Sequence, residues 1–305
     1  MKWFRLILLS LATGTAVAFA QAGSTLSPMP TAETLSWSKL SQMPLPAAGE
    51  RIAYGDGPQQ FGELRLPKGE GPFPVVVLIH GGCWKNEFNY VYMTRLGAWF
   101  AEHGLACWTI EYRRLGDKGG GWPGTFLDVA NGTDFVRQIG QTHPIDPKRV
   151  YAAGHSAGGQ LALWLASRDK LSSASELFIK NPIVVRGVIG LAAITDLAKY
   201  RFGPAGSCHA SVEPLLGGPP DKVPNRYAET SPSQRLPLGI PQVFIQGERD
   251  PIVDASSVRA YIKIANKSGD RVVLLPIPGA GHFETAVPIP QTAPLLEEAL
   301  RTLLR

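Results

Sequence analysis

The sequence has few cysteines and no concentration of charge. Its three cysteines among 305 residues are too few for a disulfide scaffold, and their spacing contains neither a Cys-x-x-Cys pair nor a zinc-binding pattern. Lysine and arginine are scattered without a basic block, so nucleic acid and membrane surfaces are not expected partners. Beyond the N-terminus, no apolar stretch is long enough to span a bilayer, and no internal repeat is visible.

What the sequence does contain is the composition of an ordinary globular protein. Hydrophobic residues make up 44% and charged residues 18%, which is too apolar for a disordered chain. The length suffices for one large domain or two small ones. The formal net charge is +5, and it falls to near +3 when Lys2 and Arg5 of the N-terminal segment are removed.

Residues 1–20 have the pattern of a secretory signal peptide. Lys2 and Arg5 precede a short apolar stretch, and Ala18-Phe19-Ala20 is a small-x-small cleavage site before Gln21. An uncleaved anchor helix is the alternative, but polar residues and glycine interrupt the apolar run early. We therefore expect an exported protein, periplasmic or secreted, with no stable membrane insertion after cleavage. The oligomeric state has no signature in the sequence.

Beyond residue 20, the chain divides into a tail and one α/β domain. Residues 21–50, rich in Ser, Thr, Pro and Ala, are predicted to form an N-terminal tail with little structure of its own. Over residues 51–305, short apolar runs alternate with helical periodicity, which predicts a mostly parallel eight-stranded sheet flanked by helices. The first two strands have no helix between them and should form an antiparallel hairpin at the sheet edge. The predicted strands are residues 51–54, 62–66, 75–80, 106–112, 150–154, 185–192, 242–246 and 272–276, and the predicted helices are residues 90–103, 124–139, 157–167, 256–267 and 292–303.

Residues 196–240 interrupt this alternation. Proline and glycine are frequent there, and no strand is evident. A long loop region inside a compact domain is usually functional. We predict a small lid, inserted after the strand over residues 185–192.

The sequence Gly154-His155-Ser156-Ala157-Gly158 is a Gly-x-Ser-x-Gly motif between an apolar strand and a helix. Glycines flank Ser156 because the chain must turn sharply from strand to helix, which leaves no room for side chains. The turn exposes the hydroxyl at the sheet edge above the N-terminus of the helix. The alternative is a glycine-rich turn with an ordinary serine. The motif predicts that Ser156 is a nucleophile.

A serine hydroxyl needs a base, and the base needs a carboxylate to hold its tautomer. His282 lies in a glycine-rich loop after the last strand, where it can reach Ser156, and His209 in the lid is the alternative base. Asp250 follows the strand over residues 242–246 and is the predicted acid, with Asp196 in reserve. Asp254 is interpreted as a helix cap. The order serine, aspartate, histidine is that of the α/β-hydrolase arrangement.

The sequence His80-Gly81-Gly82-Cys83-Trp84 directly follows the apolar run over residues 75–79 of the predicted strand. Glycines let the backbone approach a substrate oxygen closely, so this turn predicts an oxyanion hole. The expected donors are the backbone N–H groups of Ala157, Gly82 and Cys83. A tight turn without function is the alternative.

These motifs resemble those of the α/β-hydrolase superfamily. The HGG-x-W and GHSAGG sequences are similar to its esterase and lipase branch, which contains hormone-sensitive-lipase-like, feruloyl-esterase-like and kynurenine-formamidase-like enzymes. The resemblance runs from about residue 51 to the C-terminus. It implies that Ser156, Asp250 and His282 form a catalytic triad. The chain departs from many relatives at Cys83, where they carry a third glycine.

Cys83 suggests a disulfide. Cys208 lies in the predicted lid, which should cover the oxyanion turn, so a Cys83–Cys208 bond would fasten the lid to the hole. The alternative is two free thiols. Cys107, in a buried strand, is interpreted as a core residue.

Four aromatic residues are candidates for the substrate pocket, with core or surface packing as the alternative for each. They are Trp84, Trp122, Phe202 and Phe283.

The motifs and the resemblance imply hydrolysis of a small-molecule carboxylic ester, short-chain or small aryl or acetyl, through an acyl-enzyme. No metal or organic cofactor is implied. A prolyl-oligopeptidase-like serine peptidase and an aryl formamidase are alternatives within enzymes, and an inactive binding protein is a more remote one.

Overall fold

The computed structural model describes Met1 and residues 33–304. The predicted cleavage site and residues 2–32 of the predicted signal peptide and tail lie outside the described residues. In the part of the chain that is described, no helix combines the length and apolar character needed to cross a bilayer.

The sheet has eight strands in the order β1-β2-β4-β3-β5-β6-β7-β8. The first two strands pair antiparallel, and β2 also pairs antiparallel with β4, while all other pairs are parallel. This confirms the mostly parallel sheet and the antiparallel hairpin at its edge. The strands are β1 (Glu50–Ala53), β2 (Phe61–Arg65), β3 (Phe73–Ile79), β4 (Ala106–Ile110), β5 (Ile145–His155), β6 (Val188–Leu191), β7 (Gln242–Gly247) and β8 (Val272–Ile277).

The central strands are apolar throughout because both faces of the sheet are covered. Along β3, Val75, Val77 and Ile79 belong to one hydrophobic cluster, whereas Val76 and Leu78 belong to the other. Alternate side chains of a strand point to opposite faces, so these five consecutive apolar residues pack into the hydrophobic clusters on both sides of the sheet. The functional residues at the carboxyl ends of these strands are thus held on a rigid, doubly packed sheet.

Helices flank the sheet, and two of the predicted helices are divided. The predicted helix over residues 90–103 is a 3₁₀ turn, Tyr90–Met93, followed by an α-helix, Thr94–Glu102. The one over residues 124–139 is divided at Phe135, and the carbonyl of Gly132 accepts a 2.8 Å hydrogen bond from the Trp108 indole. The helices are α1 (Trp37–Gln42), α2 (Thr94–Glu102), α3 (Gly124–Asp134), α4 (Val136–Thr142), α5 (Ala157–Leu165), α6 (Leu197–Tyr200), α7 (Val212–Leu216), α8 (Pro224–Thr230), α9 (Ala255–Lys267) and α10 (Ala293–Leu303).

The segment predicted as a lid, residues 196–240, contains α6, α7 and α8 with 3₁₀ turns at Cys208–Ser211 and Pro232–Gln234. It is joined to the domain by hydrogen bonds at several points. One of them runs from the Gln160 side chain on α5 to the carbonyl of Thr230 at 2.9 Å.

The prediction that residues 21–50 have little structure of their own is wrong for residues 34–44, which we call the N-terminal arm. Ser36 caps α1 by accepting a hydrogen bond from the Lys39 N–H, and Leu40 is fully buried. Arg95 of α2 donates to the carbonyls of Met43 and Pro44. The surrounding serine and proline residues are typical of a loop, so the local sequence did not predict α1. Contacts with distant residues, such as the burial of Leu40 and the bonds from Arg95, stabilise this short helix.

Candidate active site

Ser156 stands at a sharp turn between β5 and α5. Its backbone has φ 58° and ψ −120°, a combination that costs free energy for any residue with a side chain. A Cβ on Gly154 would lie 2.1 Å from the carbonyl oxygen of Gly158, and one on Gly158 would lie 2.2 Å from that of Ile79. Both flanking glycines are therefore required sterically. The turn puts Ser156 at the N-terminus of α5, on the wall of a cavity.

His282 and Asp250 form a buried pair beside this cavity. Asp250 Oδ2 lies 2.7 Å from His282 Nδ1. The other carboxylate oxygen accepts the N–H groups of Ile252 and Val253 at 2.8 and 2.9 Å. Because the carboxylate is held from both sides, it fixes the proton on Nδ1 of His282 and leaves Nε2 free. Ser156 and His282 line the same cavity.

The alternative base and acids are engaged elsewhere. His209 lies at the cavity wall, but its Nδ1 bonds to the carbonyl oxygen of Tyr200, and no carboxylate within residues 33–304 pairs with its ring. Asp196 caps α6 by accepting the Lys199 N–H at 3.0 Å. Asp254 caps α9. The arrangement of side chains favours His282 and Asp250 over these alternatives.

The predicted oxyanion turn lies directly against the nucleophile turn. A Cβ on Gly81 would be 2.9 Å from that of Ser156. Gly82 has φ +105° and Cys83 φ 57°. Among the described residues, no acceptor pairs with the N–H groups of Gly82, Cys83 and Ala157. These three donors remain available to an oxygen bound in the cavity.

A disulfide joins Cys83 of the oxyanion turn to Cys208, the pair that the sequence suggested. The two Cα atoms are 4.8 Å apart, and both residues line the cavity. The bond fixes the lid segment to the turn that carries two of the candidate donors. Cys107 lies buried in β4, and burial raises the pKa of its thiol to about 12.

The prediction that Trp84 lines the substrate pocket is wrong. Its side chain is fully buried in the core, and its indole N–H donates to Gln160 Oε1 at 3.2 Å. Trp84 has φ 55°, so the backbone turns the indole inward beneath the oxyanion turn. Because Gln160 also bonds to Thr230, Trp84 connects the oxyanion turn to α5 and, through it, to the lid.

The other three aromatic candidates lie in three different places. Trp122 lies in a different groove, where its indole N–H bonds to Glu176 at 2.9 Å, so the prediction that it lines the pocket is wrong as well. Phe202 is 66% exposed and borders a second cavity that reaches Asp250 from the lid side. Phe283, next to His282, does line the cavity that contains Ser156.

The cavity at Ser156 has a volume of about 430 Å³, and four Trp, Tyr and Phe side chains contribute to its wall. Trp37, Phe88 and Tyr92 line it together with Phe283. Sequence reasoning missed the first three. Trp37 lies in the segment taken for a tail, and the other two lie in or near a predicted helix with no motif.

A chain of buried hydrogen bonds connects the oxyanion turn to the loop that carries His282. The Gly81 N–H donates to the Tyr92 hydroxyl at 2.7 Å, and that oxygen lies 2.9 Å from His155 Nδ1. His155 Nε2 lies 3.1 Å from the carbonyl oxygen of His282. Burial, and then the neighbouring His282, lower the pKa of His155 well below its ordinary value. The neutral ring can therefore accept from Tyr92 while it donates to His282.

His80, the first residue of the oxyanion turn, forms a second buried pair with Glu111. His80 Nε2 lies 2.8 Å from Glu111 Oε1, and Arg114 approaches the same carboxylate at 3.1 Å. Burial alone would raise the pKa of Glu111, but the charge of His80, its hydrogen bond and Arg114 together hold that pKa below its ordinary value. Over residues 33–304, no cluster of His, Cys, Asp and Glu suited to a metal ion occurs.

Comparison with known proteins places this chain in a family. The BD-FAE family model matches residues 63–262. Esterase LipC of Mycobacterium tuberculosis is 28% identical over 244 residues, which are 76% of this chain and 59% of LipC. The chain thus spans about three fifths of the length of that relative.

Solved structures share the fold. A truncated carbohydrate esterase from gut microbiota superimposes with a TM-score of 0.72 at 18% identity, covering 86% of this chain and 98% of that one. Propionate-bound Est2, an esterase of Thermogutta terrifontis, gives 0.68 at 20% identity, covering 84% and 94%. These are the α/β-hydrolase folds that the motifs predicted. Since the family model matches more than half of the chain, the protein belongs to the BD-FAE family.

Proposed function

We propose that the protein is a serine hydrolase that cleaves carboxylic esters through an acyl-enzyme on Ser156. One observation carries the proposal: Ser156 at a strained turn, His282 held by Asp250, and the turn of Gly82 and Cys83 line one cavity. The similarity to proteins named as esterases supports it.

In the first step, Ser156 Oγ bonds to the ester carbonyl carbon while its proton passes to His282 Nε2. Asp250, hydrogen-bonded at Nδ1, stabilises the resulting imidazolium. The carbonyl electron pair moves onto oxygen, which the N–H groups of Gly82, Cys83 and Ala157 stabilise. Removing one donor of this kind typically costs about 3 kcal/mol in the transition state.

The tetrahedral intermediate then collapses. The bond from carbon to the alcohol oxygen breaks, and His282 gives its proton to that oxygen, so that the alcohol leaves and an acyl-Ser156 remains. His282 next takes a proton from water as the water oxygen attacks the acyl carbon. In a second collapse the bond from the acyl carbon to Ser156 Oγ breaks, His282 returns its proton to that oxygen, and the carboxylic acid leaves.

The cavity favours small esters with an apolar part. Its volume of about 430 Å³ is at the lower end of the range for small-molecule pockets. Trp37, Phe88, Tyr92 and Phe283 provide apolar surface, and Ser156 and His282 provide the polar groups proposed to react. The wall also contains polar residues away from these two, at Lys85, Glu87, Ser207 and His209. Short-chain or small aryl or acetyl esters fit a cavity of this size that combines apolar surface with the Ser156 and His282 side chains.

We also propose that the protein is exported to the periplasm or secreted. The signal-peptide pattern of residues 1–20 motivates this proposal. The Cys83–Cys208 disulfide supports it, because such bonds persist in oxidising compartments and are rare in the cytosol. Fractionation of cells that produce the full chain, with sequencing of the mature N-terminus, tests it.

Hydrolysis of p-nitrophenyl acetate, butyrate and octanoate by the purified protein tests the proposed reaction. Ser156→Ala should lose at least about 10³-fold in kcat, whereas Ser268→Ala, at an exposed position after α9, should match the wild type. A fluorophosphonate probe should label the wild type and not Ser156→Ala. A folded wild type that turns over no ester would contradict the proposal, and assays on aryl formamides and prolyl peptides would then decide between the alternatives.

A further inference from the structure

The N-terminal arm is bonded to the loop that carries His282. The Leu35 N–H donates to Glu284 Oε1 at 2.7 Å, across 249 positions of the chain. The Gly281 N–H donates to the other oxygen of the same carboxylate at 3.0 Å. Glu284 is 4% exposed, so its carboxylate is a buried clamp with one N–H from the arm and one from the loop.

This clamp brings Trp37 to the cavity. The indole packs edge-to-face on Phe88 and Tyr92, with centroid separations of 5.2 and 5.4 Å and interplanar angles of 82° and 75°. Its centroid is 5.7 Å from that of Phe283. Such aromatic contacts fix the orientation of the ring. Trp37 is partly exposed and lines the cavity that contains Ser156.

Trp37 is a feature of this chain that the family match does not supply. The BD-FAE model matches residues 63–262, and the arm lies before that range. The oxyanion turn, Ser156 and Asp250 fall inside that range, and His282 lies beyond its end. In the proposed reaction, all of these groups serve the reacting atoms. The arm contributes a wall and no group that touches those atoms.

We propose that Trp37 is a specificity-determining residue, whose indole binds the apolar part of a larger ester while the carbonyl lies at Ser156. This inference rests on the proposed ester hydrolysis. An acetyl ester places few atoms beyond the reacting carbon and needs little of the wall. A longer acyl chain extends further into the cavity and buries apolar surface against the indole.

The test compares Trp37→Ala, Trp37→Phe and the wild type on p-nitrophenyl acetate and octanoate. In Trp37→Ala, kcat/KM for octanoate should fall about tenfold and kcat/KM for acetate less than about twofold, since a lost pocket contact is worth about that much. Trp37→Phe, which keeps an aromatic wall, should retain most of the octanoate activity. Trp122→Ala is the matched control, because it removes an indole from a separate groove.

Binding of 2-octanone, an uncharged ketone that undergoes no hydrolysis, provides a readout independent of turnover. Calorimetric titration should show affinity about tenfold weaker in Trp37→Ala than in the wild type. Equal loss on both esters, no change on either, a gain on octanoate, or the same selectivity in Trp122→Ala would overturn the role of Trp37. If the wild type hydrolyses no ester, the proposed function fails by itself, and the 2-octanone affinities alone decide on Trp37.

Discussion

Gly81 lies so close to Ser156 that one added methyl group should impair the proposed site. In Gly81→Ala, the new Cβ would stand 2.6 Å from the His155 carbonyl oxygen, 2.9 Å from Ser156 Cβ and 3.1 Å from the Tyr92 hydroxyl. Carbon contacts need about 3.5 Å, so the oxyanion turn or the nucleophile turn must move by between about 0.5 and 1 Å. Overpacking of this kind costs about 1–3 kcal/mol of stability. A misplacement of about 1 Å costs on the order of 10²-fold in rate.

The assay combines kcat/KM on p-nitrophenyl acetate with thermal unfolding of the same samples. Gly81→Ala should be folded, with a Tm lower by about 2–4 °C for each kcal/mol lost and with kcat/KM lower by about 10²-fold. Gly97→Ala is the control, because Gly97 is buried in α2 and its nearest contact, Thr109 Oγ1, is 3.1 Å from the added Cβ. Wild-type kcat/KM in Gly81→Ala would refute the close packing of the two turns.

Three further predictions follow from the buried groups. Asp250→Asn should keep the fold but lower kcat by about 10⁴-fold, because an amide N–H facing His282 Nδ1 selects the wrong tautomer; steady-state kinetics and circular dichroism check this. Cys208→Ser should lower the free energy of unfolding by about 2–5 kcal/mol, as expected for opening a loop of 125 residues, and dithiothreitol should shift the wild type in urea denaturation but not the variant. Because burial lowers the pKa of His155, the unfolded chain binds a proton below about pH 6.5 that the folded chain does not, so the free energy of unfolding should fall as the pH drops below that value. Urea denaturation at several pH values should show that the free energy of unfolding depends less on pH in His155→Gln than in the wild type.

The parts of the site that the sequence predicted are those set by local chain geometry. Ser156 was recognisable because the strand-to-helix turn needs glycine on both sides, at Gly154 and Gly158. Asp250 and His282 each follow a parallel strand, and parallel strands end at one edge of the sheet. Short sequence windows around Ser156, Asp250 and His282 therefore suffice to predict each of them as a candidate without any knowledge of distant contacts.

The parts that were missed depend on packing between distant segments. Trp84 follows the oxyanion glycines, yet its positive φ turns the indole into the core. Trp37 reaches the cavity because Leu35 bonds to Glu284, a contact that no local pattern encodes. His155 lies beside the nucleophile, but its hydrogen bonds run to Tyr92 and to the loop of His282. Which aromatic ring faces a substrate is thus decided by tertiary contacts.

The Leu35–Glu284 hydrogen bond also constrains the order in which the candidate site can form during folding. The two residues are 249 positions apart, so their contact closes a very long loop. Until it forms, the arm lacks this anchor to the loop of His282, and the cavity lacks the wall that Trp37 provides. Contacts of such high sequence separation form slowly, because the loop entropy is lost before the contact is gained. The cavity around Ser156 is thus complete only after the N-terminal arm has docked on a segment far along the chain.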